Sequence, residues 1–259
     1  MTHLDDSPTA TAELLTGIKA VVFDCDGVIW RGTKVIPGAL ATVAALEAAG
    51  VAVYFVTNNS TRSRAMYMDK FAAKGMPHVR KDQILSASYA AAAYLQSIDF
   101  DGAVYVVGEV GILEELEEAG IPAIGGPDQP PMTLAELEVY KPDPSVSAVV
   151  VGADTGFSYT KAAIAQQYLL ARPDNLFIAT NPDTSFPTQG NFLPGAGMAV
   201  AAVEACASRK ATIVGKPAPF LLHGVLDRLA ASSSEPVDRS SVLMVGDRLD
   251  TDILFGSTV

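Results

Sequence analysis

The chain has 259 residues, 49 % of them apolar and 18 % charged, with a formal net charge of −11. That length can bury a full core, and the apolar fraction excludes a disordered chain. The acid excess argues against general nucleic-acid binding, which needs Lys and Arg to neutralise phosphates, and no apolar run reaches the roughly 18 residues of a membrane-spanning helix.

In chain order, residues 1–20 lack a basic start followed by an apolar block and are too acidic for a transit peptide. Cytoplasm is therefore the default expectation. AVVFDCD at 20–26 reads as a buried parallel strand, and 39–50 as a helix closed by Gly50. A second strand is expected at 51–59, a helix at 63–75, a short strand at 83–88 and a helix to about Ser97. A new unit begins near 101: strand 103–108, a helix from Gly111, a turn-rich loop at 125–132, strand 147–154, helix 159–171 and strand 175–181. The stretch NPDTSFPTQGNFLPGAG is dense in Pro and Gly and precedes a helix at 198–210. Strands are expected again at 211–217 and 241–247. This alternation predicts an α/β fold with doubly wound, mostly parallel sheet.

The two cysteines, Cys25 and Cys206, are read as buried thiols. His3, His78 and His223 share no metal-ligand spacing, so a zinc site or a histidine-based triad is not expected.

Chemistry concentrates at the strand ends. Asp24 and Asp26 flank Cys25 at the end of this strand, before Gly27; as residues i and i+2 they point to one face and would repel unless a cation lay between them. A simple Asp–Gly turn is the alternative. Thr57 and Asn58 end the next strand, where a hydroxyl, an amide and nearby N–H groups suit phosphate oxygens; a helix N-cap cluster is the alternative. Lys216 follows a later strand, and Asp247, Asp250 and Asp252 follow the last, where acids at a helix start are the alternative.

Taken together, DCDGVIW (24–30), VTNNS (56–60), GKP (215–217) and GDRLDTD (246–252) resemble the four motifs of the haloacid dehalogenase superfamily of aspartate-nucleophile phosphatases. FDCDGVIWRG, VYVVGEVGILEELEEAGI, FIATNPDTSFP, LPGAG and GDRLDTDILFG look like its 4-nitrophenylphosphatase and phosphoglycolate phosphatase group, over residues 18–256. The resemblance implies a Rossmann-like core of residues 1–100 and 211–259 with an inserted α/β cap at 101–210. It implies Asp24 as nucleophile and Asp26 as general acid and base. Mg²⁺ would be held by Asp24, the backbone carbonyl of Asp26 and Asp247, with Asp252 behind them. Thr57, Asn58, Asn59 and Lys216 would bind the phosphoryl group, and 181–197 would carry selectivity. Arg248 is expected to pair with acids of its own loop and takes no catalytic role.

The implied partner is a small phosphorylated metabolite, first of all 2-phosphoglycolate, with no nucleic acid and no membrane. Pyridoxal phosphate, glycerol 3-phosphate or a broad range are alternatives within the class, and an inactive binding protein is the alternative outside it. The group allows a homodimer through the cap. Its members continue past the fourth motif with a further helix and strand, so the last core strand here is expected to lie along an open edge. Ala153 stands where the group suggests an aromatic.

Overall fold

The computed structural model describes residues 15–188, 190–232 and 237–257. Most of the 1–20 segment read above, His3 included, lies outside them. The strands are β1 (Ala20–Asp24), β2 (Trp30–Arg31), β3 (Lys34–Val35), β4 (Ala52–Thr57), β5 (Ile84–Ser86), β6 (Ala103–Val107), β7 (Ala123–Gly125), β8 (Val146–Val151), β9 (Leu176–Ala179), β10 (Ser185–Pro187), β11 (Phe192–Pro194), β12 (Thr212–Ile213) and β13 (Val242–Val245).

Two parallel sheets organise the molecule. The first has the order β13-β1-β4-β5, the second β12-β9-β8-β6-β7. Their strands are runs such as AVVFD and VSAVVV because both faces of each sheet are covered. Strand parity divides the side chains. Val21, Phe23, Val53 and Phe55 pack with Trp30, Tyr67 and Phe71 on one face of the first sheet. Val22, Tyr54, Val56 and Leu85 point the other way and join Ala91, Leu95, Leu221 and Val225. That second cluster continues without a break to Val104, Val106, Val150 and Ile178 of the second sheet. The far face of the second sheet packs Tyr105, Val149 and Phe177 against helices Tyr159–Ala171 and Ala196–Ala207.

Several elements differ from the sequence reading. The strand expected at 211–217 is only Thr212–Ile213, and it extends the second sheet, pairing with Ile178 and Ala179. The chain therefore leaves the second sheet after residue 213, not at 210. The Pro- and Gly-rich stretch contains the hairpin β10–β11. Helix Phe220–Ser232 was not anticipated, although Leu221, Leu222, Val225 and Leu229 form a buried helical stripe. Cys25 is buried as expected, but Cys206 is exposed: it lies off the face of its helix that buries Ala199, Val200, Val203 and Ala207. Among the described residues β13 is an edge strand, and no helix is long and apolar enough to cross a membrane.

Candidate active site

In the first sheet β1 connects towards β4 on one side and pairs with β13 on the other, and the crevice at the carboxyl ends of such strands is where open α/β sheets bind ligands. Asp24 ends β1, Thr57 ends β4, and Asp247 lies just beyond β13. Lys216 arrives from the second sheet, just after β12.

Lys216 lies at the centre of this arrangement. Its Nζ donates to Asp24 Oδ1 at 2.5 Å, to Asp252 Oδ1 at 2.7 Å and to the Val56 carbonyl at 3.3 Å. Asp24, Lys216 and Asp252 are all buried. Asp252 Oδ2 also accepts the backbone N–H groups of Asp247 (3.2 Å) and Arg248 (3.1 Å), which fixes the loop that carries Asp247. Carboxylate oxygens of Asp24, Asp247 and Asp252 lie within 4.8 Å of one another.

Electrostatics follow from this crowding. Burial, with repulsion from Asp252, outweighs Lys216 and pushes the Asp24 carboxyl up to about 7. Burial alone would lower the Lys216 ammonium, but Asp24 and Asp252 hold it well above its ordinary value. Asp247 is raised by burial and then by Asp252. Three converging acids and one lysine leave excess negative charge, and an all-oxygen donor set of this kind fits a hard divalent cation.

Three glycines make the approach possible. A Cβ on Gly27 (φ +105°) would lie 2.0 Å from Asp247 Oδ2. One on Gly246 would lie 2.1 Å from the Asp252 Cβ, and one on Gly215 would lie 2.3 Å from the Thr180 carbonyl. A side chain at Gly27 or Gly246 would displace the Asp247 or Asp252 side chain, and one at Gly215 would meet the Thr180 backbone.

Asp26 is placed differently from the shared-face expectation. β1 ends at Asp24, and the chain then turns, with Ile29 and Trp30 N–H donating to the Cys25 carbonyl. Strand alternation therefore stops before Asp26. Its carboxylate accepts from the Trp30 indole at 2.7 Å and faces Lys70 at 3.7 Å, outside the three-acid cluster. Asn59 also turns away: its Oδ1 accepts from the N–H and hydroxyl of Thr61, both at 2.9 Å. Thr57 accepts the Asn59 N–H at 3.2 Å. Neither Thr57 nor Asn58 caps a helix; Ser63 does that for Arg64–Ala73. Arg248 pairs with Asp250 of its own loop at 2.8 Å, as expected, and Asp250 stays outside the cluster.

The sequence reading did not single out Asn181 or Asp183. Asn181 Nδ2 donates to the Asn58 carbonyl at 2.6 Å, and Asn58 Nδ2 donates to Asp183 Oδ2 at 3.0 Å. Arg248 Nη1 lies 3.8 Å from Asp183 Oδ1. Both lie in the 181–197 stretch expected to carry selectivity, but the turn chemistry of NPD says nothing about its distant partners.

A sequence model of the haloacid dehalogenase-like hydrolases matches residues 21–122, and a second, HAD-hydrolase-like model matches 213–259. The chain is 43 % identical over 250 residues to a phosphoglycolate phosphatase (1A, chloroplastic) of Arabidopsis thaliana, covering 94 % of this chain and 67 % of that protein. It is 41 % identical to a glycerol-3-phosphate phosphatase of Gallus gallus, covering 98 % and 80 %. Among solved structures, a p-nitrophenyl phosphatase from Archaeoglobus fulgidus superposes with a TM-score of 0.78 at 30 % identity, over 93 % of this chain and 83 % of that one. The chain belongs to the haloacid dehalogenase-like hydrolases.

Proposed function

We propose that the chain is a Mg²⁺-dependent phosphatase of small phosphomonoesters, with 2-phosphoglycolate as its preferred substrate. The observation that carries this reading is the convergence of Asp24, Asp247 and Asp252 around a lysine that is bonded to Asp24 itself. Asp24, Asp247 and the Asp26 carbonyl would hold Mg²⁺, with Asp252 behind them, and the bound ion would neutralise charge on the phosphoryl oxygens.

The chain's own residues do the rest. An Asp24 oxygen attacks phosphorus in line and the ester P–O bond breaks, giving an aspartyl-phosphate. Asp26 passes a proton to the leaving oxygen. The Trp30 indole orients the Asp26 carboxyl by donating to its Oδ1 at 2.7 Å. Asp26 then takes a proton from water, which attacks phosphorus and frees Asp24 and inorganic phosphate. Lys216 and the Thr57–Asn58 turn hold the phosphoryl group. Residues 101–213 act as a cap that excludes water, a role supported by the contacts of Asn181 and Asp183 with Asn58. The relatives named for 2-phosphoglycolate and glycerol 3-phosphate favour a small substrate.

The test is phosphate release from 2-phosphoglycolate, glycerol 3-phosphate, pyridoxal phosphate and 4-nitrophenyl phosphate, each with Mg²⁺ and with EDTA. Turnover that needs Mg²⁺ and is fastest on 2-phosphoglycolate is expected. Equal turnover on all four overturns the substrate, and turnover in EDTA overturns the metal. Asp24→Asn is expected to abolish turnover with the circular dichroism spectrum unchanged; undiminished turnover overturns the nucleophile.

A further inference from the structure

Asp183 belongs to the second α/β unit, yet its carboxylate reaches two segments of the first. Asp183 Oδ2 accepts from Asn58 Nδ2 at 3.0 Å, and Asp183 Oδ1 faces Arg248 Nη1 at 3.8 Å. Its mount is stiff. The Asp183 N–H donates to Asn181 Oδ1 at 3.0 Å, and the Asp183 carbonyl accepts from Gly197 at 2.8 Å. Gly195 and Gly197 lie so close that a Cβ on them would meet the Asp183 carbonyl at 2.2 Å and the Pro182 carbonyl at 2.5 Å respectively. The glycines of LPGAG thus seat the NPD turn.

Asn58 is held from one end of its carboxamide. Nδ2 donates to Asp183 and to the Lys216 carbonyl, both at 3.0 Å, while Oδ1 is buried with no hydrogen-bond partner. Both neighbours of Nδ2 are acceptors, so the amide cannot flip without facing oxygen to oxygen. Asp183 therefore supplies half of the restraint on this side chain. Asn181 holds the Asn58 carbonyl at 2.6 Å from the same turn.

We propose that Asp183 is a positioning residue: through Asn58 it sets the Thr57–Asn58 phosphoryl-binding turn against Lys216, so that the phosphoryl clamp is complete only when the second α/β unit is seated. The catalytic consequence rests on the phosphatase reading; the mechanical coupling does not.

The test compares Asp183→Ala and Asp183→Asn in the full chain. The carboxamide oxygen of Asp183→Asn still accepts from Asn58, whereas Asp183→Ala offers nothing. With 4-nitrophenyl phosphate and Mg²⁺, Asp183→Ala is expected to lose about tenfold in kcat/KM, and inhibition by inorganic phosphate is expected to weaken by a similar factor. Asp183→Asn should recover most of both, and the melting temperatures should agree within about 2 °C. Backbone hydrogen exchange, measured without substrate, should quicken at residues 57–61 in Asp183→Ala and not in Asp183→Asn. Unchanged exchange there overturns the coupling. An Asp183→Asn as impaired as Asp183→Ala overturns the hydrogen bond as its vehicle. A wild-type chain that releases no phosphate overturns the phosphatase reading, while the exchange result still decides the coupling.

Discussion

Lys216 and Asp252, 36 residues apart in sequence, meet at 2.7 Å in the buried floor of the site. The same carboxylate receives the backbone N–H groups of Asp247 and Arg248. One side chain therefore orients both the lysine and the loop that carries Asp247. Removing it leaves a buried ammonium short of one partner and two N–H groups without an acceptor. Asp252→Ala is expected to lose about 3 kcal/mol of stability in urea unfolding, and Mg²⁺ affinity should fall about tenfold. Asp252→Asn should be milder in stability, since its one carbonyl oxygen satisfies part of the network.

Gly27 tests the packing of the first motif against the fourth. A methyl group there would overlap the Asp247 carboxylate, and its φ of +105° is strained for any other residue. Gly27→Ala is expected to cost about 1–3 kcal/mol and most of the turnover. Gly50 is the control: its φ is +78°, but a Cβ there meets nothing within 4 Å. Gly50→Ala should cost about 1 kcal/mol and leave kcat unaltered. Equal loss of turnover in both would show that contact with Asp247 is not the cause.

The three-acid cluster predicts a response to cations that needs no substrate. Asp24, Asp247 and Asp252 repel one another within 4.8 Å. Mg²⁺ at about a hundred times its dissociation constant should stabilise the fold by about 2.7 kcal/mol, read as a rise in melting temperature. EDTA should reverse the rise. Asp247→Asn removes the exposed member of the cluster and should abolish most of the shift while the metal-free protein melts no lower.

The two units are also joined by charge. Arg64 Nε donates to Glu115 Oε2 at 2.9 Å, Glu115 Oε1 accepts the Arg64 backbone N–H at 2.5 Å, and Glu115 is buried. Ser63 donates to Glu114 at 2.5 Å beside them, and Gly111 packs directly on the Arg62 backbone. Glu115→Ala is expected to destabilise the protein by about 3 kcal/mol in urea unfolding. The exposed pair Arg80–Asp82 offers a contrast, and Asp82→Ala should leave the unfolding midpoint nearly unchanged.

The sheets were legible because buried parallel strands are written as unbroken apolar runs, with the candidate site residues placed where runs stop. Asp24, Thr57, Lys216 and Asp247 all stand at or just beyond such stops. Asp26 was harder to place: the alternation rule holds only while the strand continues, and β1 ends two residues earlier. Helix Phe220–Ser232 carried its pattern in plain view. Asp183 did not, because its partner Asn58 is 125 positions away and local turn chemistry carries no trace of it. The same limit hid the destination of Thr212–Ile213, since a two-residue strand joins whichever edge the tertiary fold offers.

That short strand bears on how such proteins can be recombined. The backbone finishes pairing with Ala179 at Ile213 and delivers Lys216 three positions later, through N–H bonds from Val214 to Ala179 and from Gly215 to Thr180. A chimaera spliced at residue 210 would set a foreign sheet edge beside the recipient's own exit strand, and any misfit would reach the lysine directly. Splicing after Gly215 moves the edge, its seam and the NPD turn as one piece, and leaves the host to match it at Asn58 and Arg248 and along Arg62–Arg64.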